Sequence, residues 1–147
     1  MTTTTIVGNA GSDPELRFGP SGTAVCSLSV AVSHRKKDQG GQWVDDGTDW
    51  FRVSAFGELA EHVAASIQKG QRVIATGRIR TRSYIDRSGQ ERTSLELSAD
   101  AIGAELRWAT TTSQRADRGA ARPPQATQAQ AEPPADPWTG AQAEAPF

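Results

Sequence analysis

The residues whose types and spacing could carry chemistry are concentrated in one short stretch, residues 50–57. In a strand, successive side chains point to opposite faces, so Trp50, Arg52 and Phe56 share one face while the apolar Phe51 and Val53 lie on the other. A solvated strand face rarely carries two large aromatic rings with an arginine between them. Such a face can pack into a second core layer or under a loop, or it can offer flat rings and a cation to a ligand. This strand alone leaves both interpretations open.

A second predicted strand, residues 73–85, carries related chemistry. Its second half places four residues on one face: Arg78, Arg80, Arg82 and Tyr84. The surrounding residues 69–92 hold seven Lys or Arg against two acidic residues, although the whole chain has a formal net charge of −1. A run of charge is usually a solvated face. An aromatic ring on the same face as the arginines, beside an aromatic strand, instead favours a binding track.

A polar segment, residues 35–49, is predicted to be a loop. It begins with Arg35, Lys36 and Lys37 and contains an isolated tryptophan, Trp43. An aromatic residue on a glycine-bearing loop is either anchored to the protein body or offered to a ligand. The sequence does not decide between these two possibilities.

A small β-structure is expected to position these residues. The predicted strands are residues 6–9 with a continuation at 16–18, then 23–34, 50–56, 73–85 and 93–97. Residues 58–67 are predicted to form a short amphipathic helix, because Leu59, Val63 and Ile67 recur at helical spacing before Lys69-Gly70. This order predicts an all-β fold, a five-stranded OB-type barrel with one short α-helix.

Composition argues against several other classes of protein. The single cysteine, Cys26, excludes an intramolecular disulfide, and its place on an apolar strand face predicts a core residue. Two histidines far apart and no clustered metal ligands leave no basis for a catalytic centre, so we expect no enzyme, no metal and no cofactor. No apolar run reaches membrane-spanning length, which predicts a cytoplasmic protein without a membrane partner.

Aromatic planes interleaved with cations suit single-stranded nucleic acid, whose unpaired bases stack while its phosphates need positive charge. The predicted stacking residues are Trp50, Phe56, Tyr84 and Trp43. The predicted backbone contacts are Arg35, Lys36, Lys37, Arg52, Arg78, Arg80, Arg82 and Arg87. Two alternatives remain: an OB adaptor that assembles protein complexes and touches DNA weakly, and an OB domain for structured RNA.

Several motifs also resemble those of a known family. They are Val7-Gly8-Asn9, Asp13-Pro14-Glu15-Leu16-Arg17-Phe18, Asp49-Trp50-Phe51-Arg52-Val53, Phe56-Gly57-Glu58-Leu59-Ala60-Glu61, Lys69-Gly70, Gly77-Arg78-Ile79-Arg80-Thr81-Arg82-Ser83-Tyr84 and Ser88-Gly89-Gln90. In this order, over about residues 3–108, they resemble the bacterial single-stranded-DNA-binding proteins. The resemblance implies a homotetramer of OB folds that wraps single-stranded DNA during replication, recombination and repair, in association with the nucleoid. It also implies stacking at Trp50, Phe56 and Tyr84.

The remainder of the chain, residues 111–147, is rich in Ala, Gln and Pro and is predicted to be a disordered tail after a domain of residues 1–110. The resemblance implies that its tip, with Glu144, Pro146 and Phe147, docks onto partner proteins. The chain departs from the family pattern in two places. Lys36 lies near the position at which many relatives carry a stacking tryptophan, and the tip has only Glu144 where relatives usually carry a run of aspartates. The weakly acidic tip predicts a secondary paralogue with weaker steering toward basic partners.

Overall fold

Six strands and one helix form the part of the chain that the computed structural model describes, residues 2–117. The elements are β1 (Thr2–Ala10), β2 (Glu15–Phe18), β3 (Ala24–Lys37), β4 (Trp43–Phe56), α1 (Glu58–Ser66), β5 (Arg72–Ile85) and β6 (Glu91–Ala104). The chain divides into two units, Met1–Thr112 and Ser113–Phe147. The elements all belong to the first unit; in the second, residues 113–117 are exposed and without regular structure.

The strands form one sheet that closes into a barrel. Their order is β1-β5-β6-β4-β3-β2, and β1 also pairs with β3 to close the circuit. All pairings are antiparallel except that between β4 and β6. The β1 and β3 backbones approach each other very closely where the barrel closes. A Cβ on Gly8 would lie only 2.3 Å from the carbonyl oxygen of Ala31. The predicted OB-type barrel is confirmed, with β2 as a short extra strand along β3.

Alternation of side chains fills the barrel with small and branched apolar residues. Cys26, Val30, Val53 and Val73 are fully buried. Burial raises the pKa of the Cys26 thiol, which disfavours the reactive thiolate. The prediction that Cys26 is a core residue is confirmed.

The helix covers one part of this core. It spans Glu58–Ser66, within one residue of the predicted range, and buries Ala60 and Val63. Ile67 follows directly and is also buried, while Leu59 packs partly against the core. No helix within residues 2–117 is long and apolar enough to cross a membrane.

The prediction of a loop over residues 35–49 is wrong. Strand β3 continues through Lys37 and β4 begins at Trp43, so that only residues 38–42 connect the two. The backbones of this polar segment remain paired up to the turn. There the Asp38 N–H donates to the Gln42 carbonyl oxygen at 2.8 Å. We call the projecting hairpin, residues 34–49, the distal arm.

Candidate nucleic-acid interface

Three adjacent strands, β4, β6 and β5, present their outward side chains on one surface, which we call the central face. The register places Arg52 of β4 opposite Glu96 of β6, and Glu96 opposite Arg80 of β5. Two residues further along each strand, Ser54 of β4 lies opposite Ser98 of β6. The aromatic strand and the basic strand are therefore not direct neighbours, since β6 separates them.

The three aromatic residues predicted to stack all point outward. Trp50 is 58% exposed, Phe56 51% and Tyr84 50%. Their neighbour Phe51, on the opposite face of β4, packs against the barrel core instead. Trp50 and Phe56 do not form a second core layer in the described chain, because each residue is at least half exposed. One side of the Trp50 ring does lie against the β1–β2 connection.

A tight contact with the β1–β2 connection positions Trp50. A Cβ on Gly11 would lie 2.5 Å from Cζ3 of the Trp50 ring. The Gly11 N–H donates to the Ser29 carbonyl oxygen at 2.8 Å, and the Ser29 N–H donates to Oγ of Ser12 at 3.2 Å. These bonds fix the connection beside the ring. Sequence reasoning missed Gly11, although its place in a turn shortly before Pro14 could have drawn attention to it.

The arginines and aromatic rings border a connected line of depressions on the central face. The first, about 260 Å³, lies between Phe56 and the pair Arg78 and Arg80. The second, about 310 Å³, is bordered by Arg52, Arg82 and Tyr84. Each therefore has one aromatic wall and two arginines.

A third and larger depression, of about 630 Å³, extends this line of depressions past Trp50. It shares Arg52 and Ser94 with the second depression, so the three form a continuous path. The path runs from Phe56 at one end to Trp50 at the other. Its width and mixed polar and aromatic walls suit an extended chain of flat, charged units better than a single small molecule.

One acidic residue lies in the middle of the path and was given no role by sequence reasoning. Glu96 borders both the first and second depressions, and Oε1 lies 3.8 Å from Nη1 of Arg82. Asp100 on the same strand lies 3.9 Å from Arg78. The alternation of β6 between core and surface could have shown that Glu96 points outward, but not that it borders two depressions.

The remaining predicted cation of this sheet, Arg87, lies at the exposed turn between β5 and β6. Asp86 organises this turn: it accepts hydrogen bonds from the Ser88 hydroxyl, from the Gln90 N–H at 3.0 Å and from Nε of Arg92 at 2.9 Å. These bonds, that from Ser88 foremost, lower the pKa of Asp86 to about 2. The turn therefore carries a permanent negative charge beside Arg87 at neutral pH.

The distal arm carries the other predicted contacts. Arg35 lies 3.8 Å from Asp45, and Lys36 forms an ion pair with Asp46. Trp43 is 60% exposed, and Nζ of Lys37 lies 5.4 Å from the centre of its ring. None of these four predicted residues borders the three depressions.

The described structure thus brings together seven of the predicted residues: Trp50, Arg52, Phe56, Arg78, Arg80, Arg82 and Tyr84. It places Arg35, Lys36, Lys37 and Trp43 on the arm and Arg87 at a turn. The predicted partner-docking residues Glu144, Pro146 and Phe147 lie outside the described residues.

Several known proteins are similar to this chain. The profile of the single-strand binding protein family matches residues 1–104. The chain is 43% identical over 152 residues to the single-stranded DNA-binding protein of Mycolicibacterium smegmatis, across 99% of this chain and 92% of that protein. It is 47% identical over 118 residues to the single-stranded DNA-binding protein of Paenarthrobacter nicotinovorans, across 80% of this chain and 69% of that protein.

A solved structure is also similar. The crystal structure of the small single-stranded DNA-binding protein from Streptomyces coelicolor matches with a TM-score of 0.65 and 32% sequence identity. The match covers 71% of this chain and 94% of that one.

Proposed function

Since the chain belongs to the single-strand binding protein family, we propose that its central face is where it binds single-stranded DNA. The family assignment agrees with the resemblance noted in the sequence and makes the chain a DNA-binding protein rather than an enzyme. One observation carries the assignment of the face: three half-exposed aromatic rings border a continuous path that also contains four arginines.

In the proposed mechanism, aromatic side chains bind the bases and arginines bind the phosphates. Trp50, Phe56 and Tyr84 stack on unpaired bases, each contributing about 1–3 kcal/mol without strong sequence preference, since every base has a flat face. The four arginines of the central face, Arg52, Arg78, Arg80 and Arg82, contact the phosphates. A strand held in this way has its base faces covered, so it is protected and cannot re-anneal.

We assign the predicted contacts outside the central face a peripheral role. These residues do not border the three depressions. A phosphate must also compete with Asp45 and Asp46 for Arg35 and Lys36, as it must with the carboxylates of β6 on the central face. Ion pairs between exposed side chains are weak, about 0–1 kcal/mol, and such competition is therefore possible at modest cost. Trp43, Lys37 and Arg87 belong to the same peripheral group.

The family assignment also supports proposals about assembly and role. We infer a homotetramer that wraps single-stranded DNA during replication, recombination and repair, in the cytoplasm with the nucleoid. The partner proteins would bind residues 144–147, where Glu144 supplies little negative charge. That weak charge supports a secondary paralogue with reduced attraction for basic partner sites.

Titration of the full chain with oligo-dT, followed by tryptophan fluorescence, tests the binding function directly. We expect strong quenching, because Trp50 lies in the proposed path, and an affinity that falls with salt by about 0.7 log units per log unit for each neutralised phosphate. A duplex of equal length is the control and should bind far more weakly. Equal binding to duplex, or no quenching at low salt, would contradict the proposal.

A further inference from the structure

A carboxylate stands at the centre of a surface that is otherwise cationic. In the register, Glu96 lies between Arg52 on one side and Arg80 on the other, and Arg82 lies 3.8 Å away. The Glu96 side chain is one-third exposed, so its charge is available to whatever occupies the path. A surface that only attracted phosphate would gain by having a neutral residue here.

We propose that Glu96 is a specificity-determining residue that disfavours duplex DNA on the central face. This inference rests on the proposed binding of single-stranded DNA at that face. Specificity between two ligands can come from an element that repels the wrong one as well as from contacts with the right one. Glu96 supplies the repulsive element.

Single-stranded and duplex DNA present different groups to the central face. A single strand can turn its bases toward the sheet and its phosphates toward the flanking strands. Next to Glu96 along β6, the outward residues Ser94 and Ser98 are small, and the arginines lie on β4 and β5 to either side. Bases can therefore lie over β6 and against the rings of β4 and β5, while the phosphates are directed to the arginines at the two margins and turned away from the carboxylate.

A duplex cannot adopt this arrangement. Its base faces are stacked internally, and its outer surface is a dense double track of phosphates, about one charge per 1.7 Å of helix axis. A duplex approaching the arginines of the central face must therefore bring phosphates close to Glu96. The negative charges of Glu96 and of the phosphates repel each other at close range, and this repulsion opposes the approach of the duplex.

A simpler role for Glu96 would be to hold the arginines in place. Removal of the carboxylate would then disorder Arg82 and weaken binding to every nucleic acid. The two roles predict opposite signs for the duplex, so they can be separated by experiment.

The test compares Glu96→Gln with Asp100→Asn in the full-length protein. Both variants remove one negative charge from β6, and both carboxylates lie near an arginine, at 3.8 Å and 3.9 Å. Only Glu96 borders the first and second depressions. Dissociation constants are measured for fluorescently labelled oligo-dT and for a hairpin duplex, at one low salt concentration at which both bind.

We expect Glu96→Gln to tighten duplex binding by about three- to tenfold and oligo-dT binding by less than about twofold, so that the preference for single strands falls. Asp100→Asn should change both constants by the same small factor. Glu96→Asp, which keeps the charge, should retain most of the wild-type preference. Thermal unfolding of each variant confirms that the fold is intact.

Two results would overturn the inference: an equal change for both ligands in Glu96→Gln, or a duplex affinity that stays the same or falls. These results are distinguishable from failure of the proposed function. If wild-type protein does not bind oligo-dT, the proposed function itself is wrong. If it binds and the ratio of the two constants is unaltered by Glu96→Gln, only the role of Glu96 is wrong.

Discussion

The central face and the distal arm contain the same residue types but differ in what surrounds them. Both display exposed aromatic residues, three on the central face and Trp43 on the arm, together with several Lys or Arg side chains. On the central face, four arginines are accompanied by two carboxylates, Glu96 and Asp100. On the arm, three Lys or Arg residues share a short hairpin with four aspartates: Asp38, Asp45, Asp46 and Asp49.

The two regions also differ in their support. Beneath the middle of the central face, Val53 and Leu97 are almost completely buried and Ile79 packs against the same core, which holds this part of the strands in place. The end of β5 with Arg82 and Tyr84 is exposed on both faces. The arm residues are almost all exposed. A rigid floor lowers the entropy cost of aligning rings and cations with a ligand. Residue type alone therefore does not identify a binding surface, since the neighbouring charges and the packing beneath it also matter.

Removal of single aromatic rings should produce the largest difference between the two regions. We expect Trp50→Ala and Phe56→Ala each to weaken oligo-dT binding by about 1–3 kcal/mol, or about five- to 150-fold, because a stacking plane is lost. Trp43→Ala on the distal arm should cost less than about 0.5 kcal/mol, since its ring lies away from the path. Fluorescence anisotropy of a labelled oligonucleotide measures all three without depending on the tryptophans.

Each of these variants should unfold at nearly the wild-type temperature, because the rings are half exposed. A large loss of stability in Phe56→Ala would instead indicate that this ring packs into the fold. A loss at Trp43 as large as that at Trp50 would make the arm a full part of the binding surface.

A methyl group at Gly11 should have a smaller but informative effect. Gly11→Ala places a Cβ where the Trp50 ring now lies, 2.5 Å from Cζ3, so the ring must move. We expect oligo-dT binding to weaken by about 1 kcal/mol, at the lower end of the stacking range. The tryptophan emission should also change, because the surroundings of the ring change.

The matched control for this substitution is Gly40→Ala on the distal arm. A Cβ there would meet only the Asp38 carboxylate, at 3.4 Å, an ordinary contact with a flexible side chain. It should leave binding and emission unchanged. If Gly11→Ala also left both unchanged, Trp50 would not depend on the β1–β2 connection for its position.

Sequence reasoning succeeded where a periodic pattern determines the outcome. The alternation of residues 50–56 and of the first part of 73–85 assigned the outward faces correctly, because the opposite face there is buried, whereas residues 80–85 are exposed on both faces. The helix over Glu58–Ser66 was equally clear from the spacing of Leu59 and Val63. These are local signals, and hydrophobic burial makes them reliable.

It failed where the outcome depends on pairing between distant segments. Residues 35–49 look like a loop because their side chains are polar, yet their backbones pair across the hairpin and their charges are partnered by each other. The contact between Gly11 and Trp50, and the place of Glu96 between two strands far away in sequence, arise only from the closed sheet. No local pattern carries that information.

The smallest expected effect is on the salt dependence of binding, and it tests whether the cations of the two regions differ. A cation that neutralises a phosphate contributes about 0.7 to the slope of log affinity against log salt. Arg80→Gln should make the salt dependence weaker by about 0.7 in the magnitude of this slope, because Arg80 borders the first depression. Lys36→Gln should leave the slope nearly unchanged, since Lys36 is already paired with Asp46 and a phosphate that displaced this partner would gain little net charge neutralisation. Equal losses of slope in the two variants would show that the distal arm opens its ion pairs on binding, and the path would then extend from the central face onto the arm.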